Sequence, residues 1–161
     1  MGQPARLPRK LLRFLTVSRE ERRDLVDAFR AILWARRVMR DRPTGELVAL
    51  YSSADAPNSR RPAAPSPLAV DLPRARSVAE AVVRVAAYMP FDASCLIRSL
   101  AIQRMYRARG LETGQIKIGV ALDGKAFLAH AWVEVDGRVM GDTVAHVSRF
   151  TPVTDMTAVR F

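Results

Sequence analysis

The periodicity of the apolar residues changes once along this 161-residue chain, and that change limits the folds open to it. After Leu111 apolar residues alternate with small or polar ones, which is typical of a strand with two different faces. The apolar positions of this segment are Ile116, Ile118, Val120 and Leu122. Asp-Gly pairs at 123–124 and 136–137 indicate hairpin turns, and predict further strands over 126–134 and 138–144. We therefore expect an antiparallel meander, with one more strand near Pro152.

The residues before Leu111 follow a helical period instead. Ser18 and Glu21 form a capping box, which predicts a helix from Ser18 to Arg40. Its apolar face is expected to consist of Leu25, Phe29, Ile32 and Leu33. Trp34 and Met39 are interpreted as packing residues. Helices followed by an antiparallel sheet define an α+β fold.

Two more helices are predicted before the sheet. Ser77 and Glu80 form a second capping box, which opens a helix that Pro90 stops. Asp92 is the expected N-cap of a third helix over 93–109, and Gly110 is the expected left-handed C-terminal cap.

Composition divides the chain into three parts. Five of the ten prolines lie between Ser52 and Pro73, which is typical of a linker or an extended wrap. The sequence thus predicts an N-terminal helical segment over 1–51, a linker over 52–73 and a catalytic core over 74–161.

Charge and cysteine content restrict the function classes. The chain has 26 basic and 16 acidic residues, and 23 of the basic residues are arginine, which suits an acidic peptide, an acidic protein face or nucleic acid. The basic residues are scattered, and so nucleic acid is not favoured. Cys95 is the only cysteine, which excludes an internal disulfide. Without a recognisable leader or membrane span, we expect a cytoplasmic protein.

Three residues have the chemistry of a cysteine protease. Cys95 lies near a predicted helix start, at about its third position, where the helix dipole favours a thiolate. His130 lies in the second strand and Asp142 in the third. A nucleophile, a base and a carboxylate that orients the base are the three roles such an enzyme requires.

The strand register decides whether His130 and Asp142 meet. A three-residue loop over 135–137 would pair His130 with Asp142, Trp132 with Met140, and Glu134 with Arg138. A two-residue turn at 136–137 would instead place His130 opposite Thr143 and send Asp142 to the other face. We predict the three-residue loop.

Other polar residues lie near the predicted site. Glu134 is interpreted as structural, and Asp136 is the remaining carboxylate nearby. His146 has no predicted partner and is interpreted as a surface or packed residue.

The residues around this set resemble a known family. The segments Cys-Leu-x-Arg-Ser-Leu-Ala at 95–101, Arg-Gly at 109–110, Gly-Val-Ala at 119–121 and Ala-His-Ala-Trp-Val-Glu-Val-Asp-Gly at 129–137 are similar to the leader peptidase of lasso-peptide biosynthesis. The resemblance covers about residues 77–143. It implies a transglutaminase-like, papain-related cysteine protease core.

The resemblance also implies a reaction and partners. The enzyme would cut a ribosomally made precursor between leader and core, so that an ATP-dependent cyclase can close a macrolactam. Cys95 would attack, His130 would transfer the proton and Asp142 would orient the imidazole. The first 73 residues lack the hairpin of a fused winged-helix module, which implies a separate leader-recognition protein. We expect no cofactor, no metal, no bound nucleic acid and no membrane span.

Two other functions remain open at this stage. The same triad could transfer an acyl group to an amine instead of water. Alternatively, the chain could be an arginine-rich nucleic-acid-binding module in which Cys95 and His130 are core residues.

Overall fold

The computed structural model of this protein describes residues 18–41, 71–111, 114–124 and 126–153. Helices precede a four-stranded antiparallel sheet of order β3-β2-β1-β4. The elements are α1 (Arg19–Asp41), α2 (Leu72–Ala86), α3 (Cys95–Ala108), β1 (Gly114–Asp123), β2 (Ala126–Val135), β3 (Arg138–Met140), α4 (Val144–Val147) and β4 (Thr151–Pro152). The predicted α+β order is confirmed, including the strand at Pro152. Most of the predicted linker, residues 52–70, lies outside the described residues.

Helix α1 begins as predicted, and Ile32 and Leu25 of its predicted apolar face are in or against the core, but the rest of that face is not. The Ser18 hydroxyl accepts a hydrogen bond from the backbone N–H of Glu21 at 3.1 Å, as the capping box requires. Phe29 and Leu33, expected in the core, are 47% and 42% exposed. The buried positions are Asp24, Ala28, Ala31, Ile32 and Ala35. Alanine side chains are short, and so α1 can pack closely against α2 and α3.

Helix α2 begins five residues before the predicted capping box. The Asp71 carboxylate accepts a hydrogen bond from the backbone N–H of Arg74 at 2.9 Å. Pro73 lies in the first turn, where a missing N–H costs nothing. Ser77 therefore lies inside the helix, and the last two residues of the predicted linker are helical.

Helix α3 starts later than predicted and ends as predicted. Ser94, and not Asp92, is the N-cap, so Cys95 is the first helical residue instead of about the third. At the other end Gly110 has φ +68, and the N–H groups of Gly110 and Leu111 donate to the carbonyls of Arg107 and Tyr106. These two bonds define a Schellman motif, which confirms Gly110 as the left-handed cap.

The turn between β2 and β3 has two residues, so the predicted three-residue loop is wrong. Asp136 and Gly137 have φ 49 and 71, which is a type I′ turn, and Val135 pairs with Arg138. Val133 therefore pairs with Met140, and Glu134 with Val139. The type I′ turn matches the twist of the flanking strands and needs no bulge. The third strand ends at Met140, short of the predicted residue 144.

An apolar core fills the space between the helices and the sheet. Trp34 and Met39 pack against it, which confirms their interpretation as packing residues. Tyr106 is fully buried, and its hydroxyl donates a hydrogen bond to the carbonyl of Ala75 at 2.8 Å. Burial raises the pKa of Tyr106 far above its ordinary value. In the described part of the chain, no helix combines the length and the apolar character that a membrane crossing demands.

A buried carboxylate joins the three long helices. Asp24 of α1 is 1% exposed and accepts two hydrogen bonds from Arg74 of α2, at 2.7 and 2.9 Å. Arg109, the C-cap of α3, donates to Asp24 at 2.7 Å and to Asp27 at 2.9 Å. We call these four residues the Asp24 cluster. It is a fully paired ion network of the kind that buried charges require.

Candidate active site

The central contact of the candidate site joins His130 to Asp142. His130 lies in β2 and is 7% exposed, and its Nε2 lies 2.7 Å from Oδ2 of Asp142. The other oxygen of Asp142 accepts a hydrogen bond from the backbone N–H of Thr143 at 2.7 Å. The carboxylate is thus held from both sides and fixes the orientation of the imidazole.

This contact forms although the register that predicted it is wrong. Gly141 follows the last residue of β3 and has φ +74, a left-handed conformation that turns the chain out of the strand. The face rule for paired strands applies only while the strand continues, and Asp142 lies beyond its end. The carboxylate therefore reaches His130 from a turn instead of from a strand position.

Gly141 is also packed against α3. A Cβ added there would lie 2.7 Å from Cδ1 of Ile102, so the end of the Ile102 side chain would have to shift. The positive φ favours glycine at this position, and the close approach of Ile102 adds to that preference.

Cys95 is the first residue of α3 and is half-buried. The side chain of Ser94, its N-cap, makes no capping hydrogen bond. The first backbone N–H groups of α3 therefore donate no capping hydrogen bond to the side chain of Ser94. They lie at the positive end of the helix dipole. Such an end can stabilise an oxyanion that forms beside it.

Two close approaches fix how α3 runs along the sheet. A side chain added at Gly114, the first residue of β1, would lie 2.5 Å from the ring of Tyr106. Gly114 pairs with Val135 at the end of β2. Gly141 directly follows Met140, which pairs with Val133, and lies close to Ile102 of α3. The C-terminal part of α3 therefore lies beside the end of β2, and its middle lies beside Val133.

Ideal helix and strand rises allow the position of Cys95 relative to His130 to be inferred from this geometry. Cys95 precedes Ile102 by seven residues, or about 10 Å along a helix. His130 precedes Val133 by three residues, or about 10 Å along a strand. The seven-residue spacing also puts Cys95 on the face of α3 that Ile102 turns toward the sheet. We infer that the thiol and the imidazole lie at the same end of the sheet.

No hydrogen bond joins Cys95 to His130 within the described residues. There, Nε2 of His130 is bonded to Asp142, and Nδ1 has no hydrogen-bond partner. Among the described residues, the structure therefore joins His130 to Asp142 and forms no hydrogen bond between Cys95 and either of them. Nucleophile–base contacts are often loose in unliganded enzymes and tighten with substrate.

Three rings surround His130. Trp132 stacks beside it with 6.1 Å between ring centres, Phe150 lies at 4.9 Å, and His146 meets it edge-on at 4.7 Å. The proximity of His146 was not predicted. The sequence feature that could have predicted it is Thr143, a residue type that often caps helices. Its hydroxyl accepts a hydrogen bond from the backbone N–H of His146 at 3.2 Å and caps α4. A capped turn places His146 one helical turn after Asp142.

The remaining carboxylates do not contact His130. Glu134 accepts a hydrogen bond from Nε1 of Trp132 at 2.8 Å, so it holds the ring that stacks on His130. The expected pairing of Glu134 with Arg138 is absent from the β2–β3 ladder. Asp136 is exposed in the type I′ turn.

The fold combines helices packed on an antiparallel sheet, a histidine–carboxylate pair and a helix that begins with cysteine. The profile of the transglutaminase-like superfamily matches residues 28–155. This chain belongs to that superfamily. Comparison with curated proteins and with solved structures gave no match.

Proposed function

We propose that this protein is a cysteine peptidase that removes the leader from a lasso-peptide precursor in the cytoplasm. Membership of the transglutaminase-like superfamily supports chemistry at a cysteine–acyl intermediate. The segments around Cys95 and His130 support the finer assignment, because they resemble those of the leader peptidases.

The 2.7 Å contact between His130 and Asp142 carries the proposal. A histidine that only packs in the sheet would not need a carboxylate at this distance. Here Asp142 follows the turn at Gly141 and is held next to the imidazole. With Nε2 committed to Asp142, Nδ1 is the nitrogen left to accept the thiol proton. This division of labour between the ring nitrogens is the one that a base in a catalytic triad requires.

The reaction proceeds in two steps. Cys95 passes its proton to His130 and attacks the carbonyl carbon between leader and core, and the C–N bond breaks as His130 returns the proton to the departing amine. The core leaves with a free α-amine and the leader stays as a thioester on Cys95. Water then gives a proton to His130 and attacks the thioester, which releases the leader carboxylate and restores the thiol. The backbone N–H of Cys95 is one donor to the oxyanion.

The proposed partners are the precursor, a separate leader-recognition protein of the winged-helix type and the cyclase that uses the free amine. A net charge of +10 supports an acidic partner. The outer face of α1 is the proposed contact surface for the recognition protein. It exposes Val26, Phe29 and Leu33 beside Arg22 and Arg30.

Mass spectrometry of a cleavage reaction tests the proposal. The precursor encoded nearest this gene is incubated with its leader-recognition protein and with wild type, Cys95→Ala, His130→Ala or Asp142→Ala. We expect leader and core fragments from wild type, none from the Cys95 and His130 variants, and a large loss for Asp142→Ala. Asp136→Ala is the matched control, since it removes an exposed carboxylate from the neighbouring turn. Intact precursor with wild type, despite binding of the leader by its partner, would refute the peptidase.

Acyl transfer to an amine is the second candidate. The family match supports it as well as the peptidase, because both reactions form the same thioester and differ only in whether water or an amine attacks it. Product mass separates the two reactions. Hydrolysis gives two fragments whose masses include one added water, whereas transfer gives a new covalent adduct. Salt-sensitive nucleic-acid binding that is indifferent to Cys95→Ala would instead indicate a binding module.

A further inference from the structure

The side chains of His130, Asp142 and His146 form a compact cluster that the peptidase mechanism does not fully use. Each offers one ligand atom, and these atoms all lie within 4.8 Å of one another. His130 is buried, and the other two are partly buried. The peptidase chemistry proposed above uses His130 and Asp142 and leaves His146 without a role.

We propose that these three residues bind a zinc ion, which switches the peptidase off. Two imidazoles and one carboxylate are a donor set that zinc takes in proteins. Three protein ligands leave a fourth position for water. The inhibition rests on the proposed function, but the metal site itself does not.

The geometry needs only a small closure to accept the ion. Ligand atoms around a tetrahedral zinc lie about 3.3 Å apart, since each lies about 2 Å from the metal. His130 and Asp142 must separate slightly from 2.7 Å, and His146 must approach. The planes of the two imidazoles are at 90°, so their in-plane lone pairs can point to one position. His146 belongs to α4, a four-residue helix that lies between β3 and β4.

Binding at this site would stop proton transfer. The ion takes the place of the proton that Nε2 of His130 shares with Asp142, so the carboxylate no longer orients a free imidazole. An imidazole that is coordinated to zinc cannot pick up the thiol proton as a triad base does.

Calorimetric titration of the untagged protein with Zn²⁺ alone tests the site. The chain has only two histidines, and so binding that depends on imidazole is assigned without ambiguity. We expect one ion per chain, and at least about tenfold weaker binding for His146→Ala and for Asp142→Asn, because each removes a ligand. Asp136→Asn, which changes an exposed turn carboxylate, should bind as wild type does. Cys95→Ser should also bind within about threefold of wild type.

Three outcomes would overturn the proposal. The first is wild-type protein that does not bind Zn²⁺, and the second is His146→Ala that binds as tightly as wild type. The third is a loss of binding in Cys95→Ser that His146→Ala does not share, which would put the ion on the thiol.

An activity measurement separates the zinc switch from the peptidase. Each protein is assayed with and without Zn²⁺ and compared with its own zinc-free rate, and His146→Ala should be inhibited at least about tenfold less readily. A peptidase that zinc leaves active would refute the switch. Zinc binding without any peptidase activity would refute the proposed function and leave the metal site standing.

Discussion

Two carboxylates of this protein accept hydrogen bonds from side chains far away in sequence, but they differ in what surrounds them. Asp24 is almost fully buried and is paired with Arg74 and Arg109, which are permanently charged. Asp142 is 18% exposed and holds one imidazole, whose second nitrogen has no partner among the described residues. The charged groups of the Asp24 cluster are all paired, whereas at the site of Asp142 the second ring nitrogen of His130 can still accept a hydrogen bond or a proton.

The difference separates a structural polar cluster from one suited to chemistry. A saturated buried ion network resists change because every rearrangement leaves a charge unpaired. An imidazole held at one nitrogen and free at the other can accept a proton without unfolding anything. The two regions should therefore respond oppositely to loss of their carboxylate, one in stability and the other in activity.

The largest expected effect is the loss of activity in Asp142→Asn. Asparagine keeps the size of the side chain but removes the charge that fixes the imidazole, so cleavage should slow by on the order of 10³-fold. The free energy of unfolding should change by less than about 1 kcal/mol, because the carboxylate is partly solvated. Cleavage kinetics and urea unfolding of the same preparation measure both. A variant that unfolds readily would show that Asp142 is structural, as Asp24 is.

The opposite response is expected for Asp24→Ala. Its loss removes the buried partner of two partly buried arginines and leaves them only the more exposed carboxylates of Glu20 and Asp27, so the free energy of unfolding should fall by about 3 kcal/mol. Cleavage per folded molecule should stay close to wild type. Urea denaturation measures the first quantity, and Asp41→Ala, at an exposed i,i+4 pair with Arg37, is the control with an expected change below about 0.5 kcal/mol. Equal losses for the two variants would remove the contrast between the clusters.

A pair of glycine substitutions tests how Asp142 is delivered to the site. Gly141 and Gly137 have φ +74 and +71, but only at Gly141 would an added Cβ have neighbours within 4 Å. Gly137→Ala should cost about 1 kcal/mol of unfolding free energy for its backbone alone. Gly141→Ala should cost about 1–3 kcal/mol more, through overpacking against Ile102, and should also slow cleavage. Equal costs would show that packing does not fix this turn.

The smallest effect concerns Tyr106, which is fully buried in the core. Tyr106→Phe should lower the unfolding free energy by about 1 kcal/mol at neutral pH, because the bond to the Ala75 carbonyl is lost. Burial raises the pKa of Tyr106 in the folded state above its ordinary value of 10.0. Stability from the neutral phenol is therefore complete below pH 10 and is lost as the pH rises above it.

Unfolding measured at pH 7 and above pH 10 checks this dependence. Wild type should lose more stability on going to alkaline pH than Tyr106→Phe does. Tyr88→Phe, at a 77% exposed tyrosine, is the matched control and should behave as wild type at both values. An identical alkaline loss in Tyr106→Phe and wild type would assign that loss to other groups.

The sequence predicted the order of the elements well because local signals set it. The Ser18 cap, the Gly110 cap and the two Asp-Gly pairs each act within a few residues. The predicted contact of His130 and Asp142 is observed, yet the loop that led to it is wrong. Periodicity could not show that Gly141 ends the strand, because that depends on its packing against Ile102.

Other features escaped prediction because they arise only in three dimensions. The partners of Asp24 lie 50 and 85 residues away. In the sequence alone, an aspartate in a helix is therefore interpreted as an exposed, solvated residue. The buried face of α1 was predicted only in part for the same reason, since alanines at close helix contacts take the place of Phe29 and Leu33 in the core. His146 reaches His130 only because a short helix follows Asp142. The role of Cys95 and the division into three segments remain predictions.

The position of Arg109 in the chain has a consequence for synthesis on the ribosome. Asp24 is made 85 residues before Arg109, an interval of roughly 4–17 s at ordinary elongation rates. Arg74, which is made 50 residues after Asp24, supplies two of the bonds to its carboxylate, and only Arg109 completes the set. Most of the stability of a helix in a protein comes from the packing of its amphipathic face. The nascent chain therefore cannot complete its helical layer from the N-terminus onward, and must wait for the last turn of α3.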